Sequence, residues 1–100
     1  MTAYVIASYD VTDGERYQDY VAKVAPLLAS HGGELLVADA EAHCFEGEQR
    51  TVHVLCRFET EEAALGWYHD PAYAPVRQIR FDSSANGSLV IAKGFVPPDE

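Results

Sequence analysis

The chain has few basic residues and no long apolar run. Its 100 residues include seven Lys and Arg against sixteen Asp and Glu, which gives a net charge of −9 at pH 7. Surfaces that bind nucleic acid or anionic membranes need clustered cations, so we expect neither partner. No apolar run approaches the roughly 20 residues that span a bilayer. The N-terminus also lacks the basic segment of a signal peptide, so we expect a cytoplasmic protein.

Cysteine and histidine are also scarce. The two cysteines, Cys44 and Cys56, are too few for the disulfide framework of a small secreted domain. The four histidines have no helical i,i+4 pair and no Cys-x-x-Cys partner, which excludes the common zinc motifs. The glycines form no phosphate-binding loop. We therefore expect no metal site and no cofactor.

Hydrophobic periodicity predicts six elements in the order β-α-β-β-α-β. The predicted strands cover residues 3–11, 34–38, 52–58 and 88–95. The first helix lies between the first two strands, and the second covers residues 61–69. This order is typical of the ferredoxin-like α+β fold, a four-stranded antiparallel sheet with helices on one face. We expect a single domain over residues 1–95 and a flexible C-terminal tail over residues 96–100.

Local signals predict where the helices and the last strand begin. Thr12 and Glu15 form a capping box for the first helix. Thr60 is a suitable N-cap for the second helix. Asp70 can cap a further short helix whose first residue is a proline. The Asn86-Gly87 pair predicts a turn ahead of the last strand.

The two faces of the predicted sheet indicate a homodimer. In the first strand, Tyr4 and Ile6 alternate with Val5 and Ala7, so both faces are apolar. Two helices can cover only one face, and a large exposed apolar patch usually marks an interface. The simplest cover for the other face is the same face of a second copy. We therefore expect a homodimer that packs sheet to sheet.

Several side chains could bind or transform a small ligand. His53 could act as a general base, or it could be a hydrogen-bonded histidine at the interface. Arg77 and Arg80, one helical turn apart, could clamp a carboxylate or pair with surface acids. The aromatic residues that could line an apolar cleft, or pack in the core, are Tyr17, Tyr20, Trp67, Tyr68 and Tyr73.

A series of short motifs resembles one known family. The motifs, in order, are Ala3-Tyr4-Val5-Ile6, Val11-Thr12-Asp13, Tyr17 with Tyr20, Pro26, His31-Gly32-Gly33, Glu46-Gly47, Phe58, Ala64-x-x-Trp67-Tyr68-x-Asp70-Pro71-x-Tyr73, Arg77 and Arg80. Together they resemble the domain of unknown function family numbered 1330, over about residues 2–95. One departure is the segment 48–51, which lacks the Trp and Pro usual in that family.

The resemblance implies the dimeric α/β-barrel form of the ferredoxin-like fold, without an assigned activity. The wider superfamily includes cofactor-free polyketide cyclases, isomerases, small monooxygenases and haem-degrading enzymes. In the cyclases, a His and a Tyr near a His/Asp-Pro step perform acid–base chemistry. The matching positions here look like Tyr73 and Trp67, so this chain does not reproduce that histidine.

Two functions from different classes remain open. The first is a cofactor-free acid–base enzyme of the cyclase, isomerase or decarboxylase type, acting on a small carboxylate or carbonyl compound. Its predicted catalytic residues are Tyr73, His53 and Arg80. Its predicted substrate-binding residues are Tyr17, Tyr20, Trp67, Tyr68 and Arg77. The second function is a non-catalytic dimeric binding or accessory protein that uses the same cleft.

Overall fold

The structure, a computed structural model, describes residues 1–98. The elements in chain order are β1 (Ala3–Val11), α1 (Gly14–Ser30), β2 (Glu34–Asp39), β3 (Val52–Phe58), α2 (Glu61–Tyr68), α3 (Tyr73–Ser83) and β4 (Ser84–Lys93). The strands form one antiparallel sheet in the order β2-β3-β1-β4. The predicted ferredoxin-like α+β fold is confirmed. Of the predicted tail, residues 99–100 lie outside the described residues.

The N-cap of the first helix lies one residue later than predicted. The carboxylate of Asp13 accepts a hydrogen bond from the backbone N–H three residues along, at 3.2 Å, so Asp13 is the N-cap. Thr12 instead donates its backbone N–H to the carbonyl of Ser83 at 2.8 Å, which ties it to the end of α3. The predicted capping box is therefore wrong. Thr60 caps α2 as predicted, accepting from the backbone of Ala63 at 3.1 Å.

The third helix and the last strand also differ from prediction at their starts. Asp70 accepts a hydrogen bond from the backbone of Ala72 at 2.9 Å, but this bond closes a turn, and α3 begins only at Tyr73. β4 begins at Ser84 and includes Asn86, whose φ is 56°. Asparagine tolerates this left-handed conformation, and such a residue suits a bulge. The Asn-Gly pair therefore forms an irregularity inside the strand instead of a turn ahead of it.

A close backbone contact fixes the link between α1 and β2. Gly32, with a φ of 75°, follows the helix as the left-handed residue typical of a helix end. Gly33 then donates its N–H to the carbonyl of Leu28 at 2.7 Å. A β-carbon on Gly33 would lie 2.8 Å from the ring of Phe58. Only glycine lets the chain pass this close to the core.

The two faces of the sheet have different surroundings. The face toward the helices carries the core, to which β1 and β3 contribute the buried residues Ala3, Val5, Ala7, Tyr9, Val52, Cys56 and Phe58. The opposite face, called the outer face below, includes Tyr4, Ile6, Ser8, Val37, His53, Leu55, Ser88 and Val90. Ile6 is 46% exposed and Val90 is 50% exposed. Nothing in the described part of the chain covers this largely apolar face.

Candidate functional site

A cleft of about 210 Å³ lies between α1 and the helix-facing side of the sheet. Its wall is mainly aliphatic. The side chains in it that carry a polar atom are Tyr9, Tyr17, Tyr20, Cys56, Trp67 and Arg80. An apolar cavity of about 150 Å³ can hold benzene. The cleft can therefore take a compound built on a single ring.

The wall of the cleft includes exposed residues of α1 and of the edge strand β2. The helix α1 makes its main contacts with α3, and every residue of β2 is exposed. Leu35 of β2 and Val21 of α1 both line the cleft, and they are 56% and 40% exposed. These two exposed side chains belong to the part of the cleft wall that faces solvent.

Arg80 places a buried positive charge in the cleft wall. It is only 4% exposed, its Nε has no hydrogen-bond partner, and no ion pair among residues 1–98 includes it. Its guanidinium carbon lies 5.6 Å from the ring centre of Tyr9 and 5.9 Å from that of Tyr20. The rings attract the cation, but a buried charge normally requires an anionic partner. The site is therefore suited to an anionic group of a ligand.

Two tyrosine pairs lie beside Arg80. The hydroxyls of Tyr9 and Tyr17 share a hydrogen bond at 2.8 Å, and those of Tyr20 and Tyr73 share one at 2.9 Å. Burial raises the pKa of Tyr9, Tyr20 and Tyr73 above the ordinary value for a phenol. These three phenols keep their protons at neutral pH. Tyr9 and Tyr20, which line the cleft, can donate hydrogen bonds to a ligand, and all three neutral phenols are poor bases.

Trp67 and Cys56 supply the other polar atoms of the wall. Trp67 is 2% exposed, and its indole N–H has no acceptor. Its ring lies 4.5 Å from that of Tyr73, centre to centre. Burial raises the pKa of the Cys56 thiol to about 11. Because only the thiolate is a good nucleophile, Cys56 is inert at neutral pH.

The described wall contains neither a carboxylate nor an imidazole. It therefore offers no group that is an effective base near neutral pH. Elsewhere in residues 1–98, no three His, Cys, Asp or Glu side chains come together as a metal site would require. Over the same residues, no helix has both the length and the apolar character to cross a membrane.

The structure brings together three predicted binding residues and one predicted catalytic residue, Arg80. Tyr17, Tyr20, Trp67 and Arg80 all line the cleft. Tyr73 is fully buried behind the wall, and it connects to the cleft through the hydroxyl of Tyr20. Its position suits a residue that orients Tyr20.

The other predicted site residues lie elsewhere. Arg77 donates a hydrogen bond to the carbonyl of Tyr68 at 3.3 Å, and its guanidinium carbon lies 4.9 Å from the Tyr68 ring. Neither residue lines the cleft, so Arg77 and Arg80 do not act together there. His53 belongs to the outer face, where it lies in a shallow hollow with Val37. Within the chain, the sheet separates His53 from the cleft.

Sequence reasoning missed Tyr9 as a site residue. A signal was present, because Tyr9 shares the inward side of β1 with Val5 and Ala7 and follows them in strict alternation. Its hydroxyl shares a hydrogen bond with that of Tyr17, which also lines the cleft. Strand alternation indicates that Tyr9 faces inward, but it does not show that the space beside it is open.

Comparison with known proteins supports the fold and identifies the family. Residues 2–95 match the family described as "Domain of unknown function (DUF1330)". No curated protein matches the sequence significantly. Among solved structures, a protein of unknown function from Rhodopseudomonas palustris is similar, with 15% identity and a TM-score of 0.81 over 96% of this chain and 84% of that one.

Two further structures are similar over nearly their whole length. A dimeric ferredoxin-like protein of unknown function from Jannaschia has 14% identity and a TM-score of 0.77, over 94% of this chain and 100% of that one. SnoaB, a cofactor-independent oxygenase from Streptomyces nogalater, has 12% identity and a TM-score of 0.68, over 99% and 98%. At these identities the likeness shows the fold alone. The match over residues 2–95 shows more, and the chain belongs to the DUF1330 family.

Proposed function

We propose that this protein binds a small, mainly apolar compound with one anionic or enolisable oxygen in the cleft between α1 and the sheet. The observation that carries the proposal is Arg80, a guanidinium that is 4% exposed and has no acidic partner among residues 1–98. A bound carboxylate, phenolate or enolate would supply that partner through charge-assisted hydrogen bonds. The aliphatic wall would hold the rest of the ligand.

The same arrangement suits a cofactor-free enzyme that forms an enolate. When the carbon next to a carbonyl loses CO₂, or gives a proton to a base in the solvent, the electron pair left behind forms an enolate with negative charge on oxygen. A fixed guanidinium in a dry site stabilises charge that develops on that oxygen. The neutral phenol of Tyr20, oriented by Tyr73, would donate a second hydrogen bond. Isomerisation, cyclisation and decarboxylation of small carbonyl compounds all pass through this kind of intermediate.

A non-catalytic binding protein is the second candidate, and one observation favours it. The described wall contains no carboxylate or imidazole that could remove a proton from a substrate. The raised pKa of Tyr73 makes that phenol a donor and not a base. A substrate would therefore have to ionise because of Arg80 alone, or arrive as an anion.

A binding experiment tests the anion site at Arg80, which both candidate functions require. Benzoate, a single-ring anion, and benzamide, its neutral analogue, are titrated by calorimetry into the wild-type protein and into Arg80→Met. Arg77→Met is the matched control, because Arg77 lies on the same helix but outside the cleft. We expect benzoate to bind the wild type and the control, and to bind R80M roughly 10- to 100-fold more weakly. Equal binding to R80M and wild type would contradict the proposal.

A second experiment separates the enzyme from the binding protein. Acetophenone is incubated with protein in D₂O, and the loss of its methyl proton signal is followed by NMR. An enolate-forming site should accelerate the exchange in wild type and in R77M, but not in R80M. Binding of benzoate without any accelerated exchange would favour the non-catalytic function.

We also propose that the protein is a homodimer that packs through the outer face. The support is the exposure of Ile6, Val37 and Val90 on that face, together with the dimeric state named for the Jannaschia protein. Packing two such faces would remove this apolar surface from water. Light scattering at micromolar concentration tests the proposal, and a mass of one chain, 11.0 kDa, would contradict it.

A further inference from the structure

The cleft contains a second buried donor that the proposed anion would leave unused. The indole N–H of Trp67 has no acceptor, although Trp67 is 2% exposed and lines the cleft. The side-chain polar atoms of residues 1–98 that are buried without a partner are Trp67 Nε1 and Arg80 Nε. Buried donors are nearly always paired in folded proteins. Because both unpaired donors belong to residues that line the same cleft, a single bound ligand that accepts from both would explain them together.

The two donors approach the cleft from different helices, with the Tyr20–Tyr73 pair between them. The guanidinium carbon of Arg80, on α3, lies 5.9 Å from the ring centre of Tyr20. The Tyr20 hydroxyl bonds that of Tyr73 at 2.9 Å. The ring of Tyr73 lies 4.5 Å from that of Trp67, on α2. The Tyr20–Tyr73 pair thus connects the two residues, and both Trp67 and Arg80 line the cleft that one ligand would occupy.

The chemistry of the two donors differs, and this defines the ligand. Arg80 carries a full positive charge and can hold an anionic oxygen with two parallel hydrogen bonds. The Trp67 indole is neutral and only donates, so it suits an uncharged acceptor such as a ketone oxygen. A second anion at Trp67 would be buried without a cation, because Arg80 is the only charged side chain in the described wall.

We propose that the natural ligand is a single-ring mono-anion with a second, uncharged carbonyl oxygen, bound by Arg80 at one end and by Trp67 Nε1 at the other. This inference rests on the proposed function, since it assumes that Arg80 holds the anion. It adds a specific class of compound, the oxo-substituted aromatic or alicyclic acids and the acyl phenols. It also assigns Trp67 as a specificity-determining residue.

Matched pairs of probes isolate the second contact. 4-Acetylbenzoate and 4-isopropylbenzoate have the same charge and nearly the same shape, but only the first has a ketone oxygen. The corresponding 3-substituted pair tests a second spacing between the two acceptors. We expect at least one acetyl compound to bind wild type about 3- to 10-fold more tightly than its isopropyl partner, the value of one buried hydrogen bond.

Two variants and one spectroscopic signal complete the test. Trp67→Phe keeps an aromatic ring but removes the N–H, so the preference for the acetyl compound should disappear. Tyr68→Phe, in the neighbouring residue outside the cleft, should preserve it. Since the chain has one tryptophan, its indole N–H gives one cross-peak in a ¹H–¹⁵N spectrum of the wild type. The preferred acetyl compound should shift that peak more than its isopropyl partner does.

The possible outcomes separate a failure of the Trp67 contact from a failure of the proposed anion site at Arg80. Equal affinity and equal indole shifts within both probe pairs would overturn the role of Trp67, even if R80M still weakens all four probes. Persistence of the acetyl preference in W67F would overturn it as well. If no probe binds, or if R80M binds them all as wild type does, the proposed anion site itself is wrong and the inference falls with it.

Discussion

Replacing Arg80 should make the ligand-free protein more stable. Arg80 is 4% exposed, and its Nε has no partner, so folding removes this donor of a charged group from water without restoring its hydrogen bond. Methionine has a similar length, no charge and enough flexibility to fill the same space. In Arg80→Met the backbone carbonyl of residue 80 still accepts the hydrogen bond from Ser83. The substitution therefore tests the side chain alone.

The size of the effect follows from two opposing contributions. Replacing buried ion pairs by apolar side chains of similar volume has stabilised proteins by about 1–4 kcal/mol, and we take the same range for the unpaired Arg80. Against this, R80M loses the attraction of the guanidinium to Tyr9, Tyr20 and Phe81, whose ring centres lie 5.1–5.9 Å away. At distances near the 6 Å limit, each such contact is worth about 0.5 kcal/mol. The net gain should be about 1 kcal/mol, which raises the Tm of a domain of this size by about 4–8 °C.

Urea denaturation of wild type, R80M and the control Arg77→Met measures this difference. Arg77 has a partner, since it donates to the carbonyl of Tyr68 and lies over the Tyr68 ring. R77M should therefore lower the free energy of unfolding by about 1 kcal/mol. The same substitution at two positions three residues apart should thus change stability in opposite directions. A free energy of unfolding that falls in R80M by as much as in R77M would refute the reasoning. It would mean that the guanidinium of Arg80 already has sufficient partners in the ligand-free protein.

Three other predictions concern packing, pH and assembly. Gly33→Ala should lower the free energy of unfolding by about 1–3 kcal/mol in urea, because its β-carbon would lie 2.8 Å from the Phe58 ring; an unchanged value would show that the ring can move. Asp70 has its pKa lowered below 3.8 by the hydrogen bond from His31, so its contribution to stability is present above pH 3.8 and is lost as the pH falls further. The Tm of Asp70→Asn should therefore be lower than that of wild type at pH 7, and the gap should close below about pH 3.8; a gap that stays constant with pH would contradict this. Val90→Asp should dissociate the proposed homodimer, since it would bury an unpaired carboxylate, and a dimer that persists in sedimentation at micromolar concentration would exclude Val90 from the interface.

Strand and helix order could be predicted from the sequence because periodicity records which side of each element is buried. β3 matches its predicted bounds, and Thr60 caps α2 as predicted. The errors occur where two residues compete for one local role. Thr12 and Asp13 are both good helix caps, and the hydrogen bond from Thr12 to the end of α3 selects Asp13. The Asn86-Gly87 pair suits either a turn or a bulge, and only pairing with β1 decides between them.

The candidate site was less predictable because it depends on contacts between distant elements. The sequence gives no reason to prefer Arg80 to Arg77 as a ligand-binding residue, yet only Arg80 lies against Tyr9 and Tyr20. Strand parity could place His53 on the less apolar face, but not on the far side of the sheet from an open cleft. The opening itself results from α1 packing on α3 and leaving β2 exposed. No local pattern in the sequence contains that information.

The exposed edge strand β2 also affects how the protein behaves at high concentration. One side of Glu34–Asp39 pairs with β3, and the other side pairs with no strand among residues 1–98, so it can pair with another chain and start aggregation. The irregular pairing between Leu35 and Val37 twists this edge and makes it a poor template. Glu34 and Asp39 at its ends, with the net charge of −9, add electrostatic repulsion between copies. That repulsion vanishes near the isoelectric point of about 4.7, so acidic buffers should promote edge-to-edge association and loss of solubility.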